Sequence, residues 1–240
     1  TYRRLHHWTL WIKIRGENGM KKTKLETDYE VLLQGIEKLS VLTIGAYENT
    51  LEALKTLDLE IALQIIKQDQ DIDDLQEDIT EESTIFIIRQ QPVASDLRKI
   101  LMVMRLATEY ERIADYTKNL AEYIILIKQN ESLEHYEKNV DKLVRMLEIV
   151  INMLKLVMEG LQEENKAKIK EAADMDKQVD EIYNELLASL ITHIQVVDGK
   201  VFGTAYAILI NKYIERAGDH VTNIAEEILY ALKGRRYHLN

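Results

Sequence analysis

A twelve-residue segment of this chain occurs twice, 104 residues apart, and that duplication constrains the fold more than any other feature. The first copy runs Glu111-Arg112-Ile113-Ala114-Asp115-Tyr116-Thr117-Lys118-Asn119-Leu120-Ala121-Glu122, the second Glu215-Arg216-Ala217-Gly218-Asp219-His220-Val221-Thr222-Asn223-Ile224-Ala225-Glu226. Six of the twelve positions are identical, where unrelated segments would share about one, so the chain reads as two halves built on one unit. What repeats is mostly polar: Glu, Arg, Asp, Asn and Glu. Packing alone would preserve apolar positions first. A repeated polar stripe points instead to a repeated site.

Each half should be helical. One Pro and nine Gly in 240 residues leave few helix breakers, and from Lys24 onward apolar residues recur at three- and four-residue steps. The spacing predicts helices over 24–56, 59–89, 93–128, 134–162, 165–196 and 200–233. The breaks between them fall at Gln90-Gln91-Pro92, at the polar linker Gln129-Asn130-Glu131-Ser132 and at Asp198-Gly199. Pro92 stands close to a helix start, where its missing N–H costs little. The predicted fold is therefore all-α: two tandem pseudo-symmetric three-helix bundles made of six long antiparallel helices, residues 20–130 and 131–240. Residues 1–19, which hold both tryptophans, two of the six histidines and two glycines, read as a non-native or disordered extension.

Composition removes several function classes. The chain has no Cys, so disulfides, thiolate metal sites and Cys nucleophiles are excluded. A net charge of −10 disfavours unaided nucleic-acid binding and favours cations as ligands. No stretch approaches the roughly 20 apolar residues of a membrane span. Neither a Gly-rich phosphate loop nor a Ser/His/Asp pattern stands in the sequence, so hydrolase and nucleotide-binding readings find no support.

The repeat extends backwards. Asp69 and Asp73 align with Asp176 and Asp180 at an offset of 107, the three-residue difference being absorbed in the intervening turn. Each half then carries two acidic pairs spaced i, i+4: Asp69/Asp73 with Glu111/Asp115, and Asp176/Asp180 with Glu215/Asp219. That spacing places both carboxylates on one face of a helix. Because the second and third helices of a half run antiparallel, its four carboxylates can converge. Hard oxygen donors suit Mg²⁺, Ca²⁺, Mn²⁺ or iron. The plain alternative is a solvated acidic face, since the chain has 41 acidic residues and, in projection, Glu111 and Asp115 lie nearly opposite the apolar stripe of Tyr110, Thr117, Ala121 and Ile124. Duplication weighs against it, because like charges at i, i+4 destabilise a helix and both halves keep them. Around these acids, Arg112, Asn119 and Glu122 with their counterparts Arg216, Asn223 and Glu226 are placed to orient a ligand set. The two arginines are expected to pair with a nearby carboxylate, an anion contact being the minor alternative. His220 is expected to be structural, and Met102, Met104, Met146, Met153 and Met158 to be core.

These residues resemble a known family, the PhoU phosphate-signalling proteins. The resemblance rests on Gln91-Pro92-Val93-Ala94-Ser95-Asp96-Leu97-Arg98 and on the doubled Glu-Arg-x-x-Asp-Tyr/His-x-x-Asn motif, and it spans about residues 20 to 233. It implies two three-helix bundles bearing multinuclear metal clusters, iron foremost, with Mn, Mg, Ca, Zn or Ni as alternatives. The family's Glu/Asp-x-x-x-Asp motif lands on Asp69, Asp73, Glu111, Asp115, Asp176, Asp180, Glu215 and Asp219. It further implies a regulator and not an enzyme, often a homodimer, that is cytoplasmic or peripheral at the inner face of the membrane. Such a regulator links the ATPase subunit of the high-affinity phosphate transporter to a membrane sensor histidine kinase and represses phosphate-starvation genes. Two rivals remain: a metal-free helical scaffold, and a di-iron carboxylate oxidase. The oxidase chemistry needs Glu-x-x-His motifs, yet the residues three before the six histidines are Arg3, Arg4, Ser132, Leu190, Ala217 and Arg235.

Overall fold

The computed structural model describes residues 23–129, 134–196 and 202–233. The 1–19 extension, the Asp198-Gly199 break and most of the Gln129–Ser132 linker lie outside the described residues. Helices α1 (Lys24–Thr56), α2 (Leu59–Gln90) and α3 (Ser95–Gln129) form the first bundle. The second contains α4 (Glu134–Gln162), α5 (Lys166–Asp174), α6 (Asp176–Val196) and α7 (Phe202–Lys233). The six predicted helices are all present. The fifth differs in one respect: α5 and α6 make a single rod interrupted at Met175, whose N–H reaches back to the carbonyls of Ala173 and Glu171. No glycine or proline marks that break. A one-residue interruption leaves the apolar period intact, with Ile169, Ala172, Val179, Leu186 and Leu190 all buried, so the spacing of apolar residues does not register it.

Local chemistry accounts for the helix ends. Thr23 and Glu26 form a capping box at α1, each side chain accepting the other's backbone N–H at 3.2 and 2.8 Å. Asp58 caps α2 through the N–H groups of Glu60 and Ile61 at 2.8 and 3.2 Å. At the far end of α2, Gln91 turns left-handed with φ 45°, and Pro92 then prevents the helix from continuing. Among the described residues no helix is long and apolar enough to cross a membrane.

Within each half the apolar stripes face one another. Ile36, Leu39, Ile65, Ile100, Leu106, Ile113 and Leu120 are buried in the first bundle, and Leu147, Val157, Ile210 and Ile224 in the second. Each such side chain contributes about 1.5–3 kcal/mol. The buried Tyr47 hydroxyl donates to the Ile113 carbonyl at 3.0 Å, so α1 and α3 are pinned without leaving a polar group unsatisfied. Of the methionines expected in the core, Met102, Met146, Met153 and Met158 are buried, and Met104 is half-buried.

The halves join through α3 on α7 and α1 on α4. On the second of these seams Lys155 bonds Glu48 at 2.6 Å and Lys55 bonds Glu148 at 3.1 Å. Glu48 and Lys55 stand exactly one hundred residues before Glu148 and Lys155, so the two pairs are reciprocal, as a pseudo-twofold axis requires. The same axis orders the α3/α7 seam, where Tyr116 meets Tyr213 and Glu109 meets His220.

Candidate functional site

Two clefts open between the second and third helical rods of the halves. In the first, α2 supplies Asp69 and Asp73, and α3 supplies Glu111, Asp115 and Lys118. One oxygen each from Asp69, Asp73 and Asp115 lies within 4.8 Å of the others. Asp69 is only 5% exposed, and Lys118 Nζ donates to its Oδ2 at 2.6 Å. That bond to Asp69 is the chief cause that raises the Lys118 pKa. Glu111 stands outside the tight trio but within its field. Burial first, and then the charges of Asp115 and Asp73, push its carboxyl upward. Burial and then Asp69 and Asp115 raise Asp73; burial and then Asp69 raise Asp115, against the opposing pull of Lys118.

The second cleft repeats the plan with different balance. Asp176 opens α6 immediately after the Met175 break, 3% exposed. Burial, then Asp180 and Asp219, push its carboxyl up to about 7. Its Oδ1 lies so close over Gly218 that a Cβ there would collide with it. Glycine is needed at 218 for that approach; the first half carries Ala114 at the matching position. Asp176 Oδ1 and Thr222 Oγ1 are both buried without a hydrogen-bond partner, although the hydroxyl is near enough to favour the charged carboxylate slightly. Thr222 stands where the first half has Lys118. The ammonium of this cleft comes instead from Lys212, which bonds Glu215 Oε2 at 2.6 Å. Burial and then Glu215 raise both Asp219 and Asp180.

The structure sets four of the predicted acids along the second and third rods of each half, but among the described residues only Asp69, Asp73 and Asp115 bring oxygens within 4.8 Å of one another. Glu111, Asp115, Glu215 and Asp219 are half-buried, and Asp69 and Asp176 are buried; of the eight, only Asp180 is exposed. The helical projection of α3 sets Glu111 and Asp115 opposite the apolar stripe, but it omits the neighbouring helix, which overhangs that flank and leaves both half-buried. Lys118 and Lys212 were not singled out from the sequence. Their signal was an i, i+3 spacing from Asp115 and Glu215.

The residues expected to orient the acids mostly do something else. Arg112 pairs loosely with Glu109 at 3.8 Å, but Arg216 lies over the Tyr116 ring, 5.1 Å from its centroid, rather than on a carboxylate. Asn119 Nδ2 donates to the Asp115 backbone carbonyl at 2.9 Å, bracing the helix and not the side chain. Asn223 reaches Glu109 at 3.4 Å. Glu122 is exposed and Glu226 half-buried. His220 is structural, as expected. Its Nδ1 bonds Glu109 Oε2 at 2.6 Å and its Nε2 bonds the Tyr116 hydroxyl at 2.9 Å, a chain that ties the halves at the pseudo-twofold axis. Burial raises the Tyr116 pKa, the reverse of what an activated nucleophile requires.

Fold and site together define a class: tandem three-helix bundles, each with a carboxylate cleft between its second and third rods. The PhoU domain matches residues 36–124 and 143–228, one stretch in each half. The chain belongs to the PhoU domain family. It is 31% identical over 225 residues to the phosphate-specific transport system accessory protein PhoU homolog of Zymomonas mobilis, covering 94% of this chain and 93% of that one. It is 30% identical to the Clostridium acetobutylicum homolog of the same description, over 92% of this chain and 100% of that one. The fold matches crystal structures of PhoU from Pseudomonas aeruginosa, with TM-score 0.82 and 26% identity over 88% of this chain and all of that one. It matches equally the phosphate transport system regulatory protein PhoU from Streptococcus pneumoniae, with TM-score 0.81 and 23% identity over 90% of this chain and all of that one.

Proposed function

We propose that this chain is an accessory regulator of phosphate transport whose two clefts hold metal ions. The observation that carries the metal reading is the convergence of Asp69, Asp73 and Asp115 oxygens within 4.8 Å in the first half; the second half follows from the sequence repeat, and there Asp176 Oδ1 is buried without a partner. Carboxylates gathered this closely raise one another's pKa, and a cation would reverse that repulsion. Asp69, Asp73, Glu111 and Asp115 would hold the ions of the first cleft, and Asp176, Asp180, Glu215 and Asp219 those of the second. All eight are hard oxygen donors, which suits iron, with Mn, Mg, Ca, Zn or Ni as the alternatives.

The regulatory reading rests on family membership and on relatives described as accessory proteins of phosphate-specific transport. We assign the chain to the cytoplasm or the inner face of the membrane, as a homodimer. There it would couple the transporter ATPase subunit to a sensor histidine kinase and repress phosphate-starvation genes, acting by binding and not by turnover. An oxidase would want a histidine ligand, whereas His220 is engaged by Glu109 and Tyr116. Elemental analysis of protein purified without a metal-affinity tag and reconstituted with iron, manganese or zinc tests the clefts. Stoichiometric metal is expected; none after reconstitution would leave the helical scaffold as the better reading.

A further inference from the structure

The α3/α7 seam continues beyond the clefts to the start of α3 and the end of α7. There a cavity of about 290 Å³ is lined by Leu97, Arg98, Leu101, Arg105, Glu227 and Tyr230, among others. Arg98 and Arg105 stand two turns apart on one face of α3, with Leu101 between them and 42% exposed. Arg98 lies over the Tyr230 ring, 5.8 Å from its centroid. Arg105 already holds a carboxylate: both Glu227 oxygens are 2.6 Å from its Nη1.

The fold does not require these charges. The 104-residue offset carries Arg98 and Arg105 onto Phe202 and Leu209, so the pseudo-equivalent positions on α7 are apolar. Both versions pack on the same helix pair. Two arginines kept on one groove of a chain with net charge −10 mark a surface whose electrostatic complement is acidic. The apolar step between them, Leu101 beside Leu97 and the Tyr230 ring, adds a seat for an uncharged side chain. Glu227 indicates how a carboxylate would sit there, as arginine forks favour carboxylate oxygens.

We propose that this groove docks an acidic segment of a partner protein, one apolar side chain entering the cavity over Leu97 and Leu101 while flanking carboxylates pair with Arg98 and Arg105. None of these residues belongs to an acidic cleft, so the docking stands or falls separately from metal binding.

The test is fluorescence anisotropy of the full chain with a labelled peptide, Leu-Glu-Glu-Leu-Glu-Glu-Leu, against its glutamine counterpart. The acidic peptide should bind at least about tenfold more tightly, and salt should weaken it. Arg98→Gln with Arg105→Gln should lose that preference while the helical circular dichroism and melting temperature stay unchanged, and Arg98→Glu with Arg105→Glu should abolish binding. Glu227→Gln, which releases Arg105, should tighten binding about threefold, and Leu209→Gln at the position equivalent to Arg105 should have no effect. Equal binding of the two peptides, or binding undiminished in the folded double variants, would overturn the proposal. So would sedimentation showing that the wild-type chain self-associates through these arginines while the peptide does not bind, since the occupant would then be a second copy.

Discussion

The two clefts use the same four acid positions and differ in how each restrains them. In the first, α2 runs unbroken past Asp69, and Lys118 neutralises the buried carboxylate directly. In the second, the rod breaks at Met175, Asp176 opens α6, and the position of Lys118 is held by Thr222. There the ammonium of Lys212 goes to Glu215, and Asp176 is left buried against Gly218 with its carboxyl near a pKa of 7. The pair teaches that a repeat conserves ligand-type residues while the compensating charges move around them. Such a cleft tolerates its cation from either end, because either one relieves part of the same repulsion.

The largest expected effect separates the halves outright. Glu111→Gln with Asp115→Asn should lower bound metal, measured by elemental analysis, by about half. Adding Glu215→Gln and Asp219→Asn should remove most of the remainder. Complete loss from the first pair alone would mean one shared site, and no loss from all four would mean that the acids hold no ion.

Gly218→Ala should come next. Its Cβ meets Asp176 Oδ1, so urea unfolding should report a loss of about 1–3 kcal/mol. The reciprocal change Ala114→Gly should cost only about 1 kcal/mol, the ordinary price of glycine in a helix. Equal costs would show that the close approach at 218 is not specific to the second cleft.

The pH response of chelator-treated protein should follow the burial of Asp176. Its folded pKa, about 7, is raised above the ordinary value of 3.8. The folded state therefore binds the proton more tightly, and this group's favourable contribution is complete below about pH 4 and lost as pH rises through about 7. Asp176→Asn should consequently melt higher than wild type at pH 8, by about 1–2 kcal/mol in stability. That advantage should shrink towards pH 5, and a gap independent of pH would count against the buried acid as its source.

The smallest effect should come from exchanging the cations. Thr222→Lys places an ammonium where the first cleft has one and should weaken metal uptake by the second cleft about tenfold, while Lys118→Thr should strengthen the first by a similar factor. Titration of metal into each variant would read both, and unchanged affinities would show that these lysines are only surface partners.

Much of this was legible without a structure because the two strongest signals are local. Apolar residues at three- and four-residue steps specify long helices, and the ends of α1 and α2 coincide with the capping residues Thr23 and Asp58 and with Pro92. The acids were legible because i, i+4 spacing within one helix, repeated at a nearly constant offset, needs no knowledge of neighbours. Lys118 and Lys212 were not, since a lysine three residues from an acid is commonplace on helix surfaces. Whether it is spent on that acid, as Lys212 is, or on one across the groove, as Lys118 is, depends on the facing helix.

The sequence by itself determined the helical class, the twofold repeat and the eight acids, each written in periodicity or spacing along one chain. Only the tertiary structure decided that Asp69 and Asp176 are buried, that Asp176 presses on Gly218, and that Tyr116, His220 and Glu109 tie the halves at their axis. Burial and proximity belong to pairs of helices. A cleft's electrostatics depends on which groups from separate helices are brought within a few ångströms, and no pattern within a single helix carries that distance.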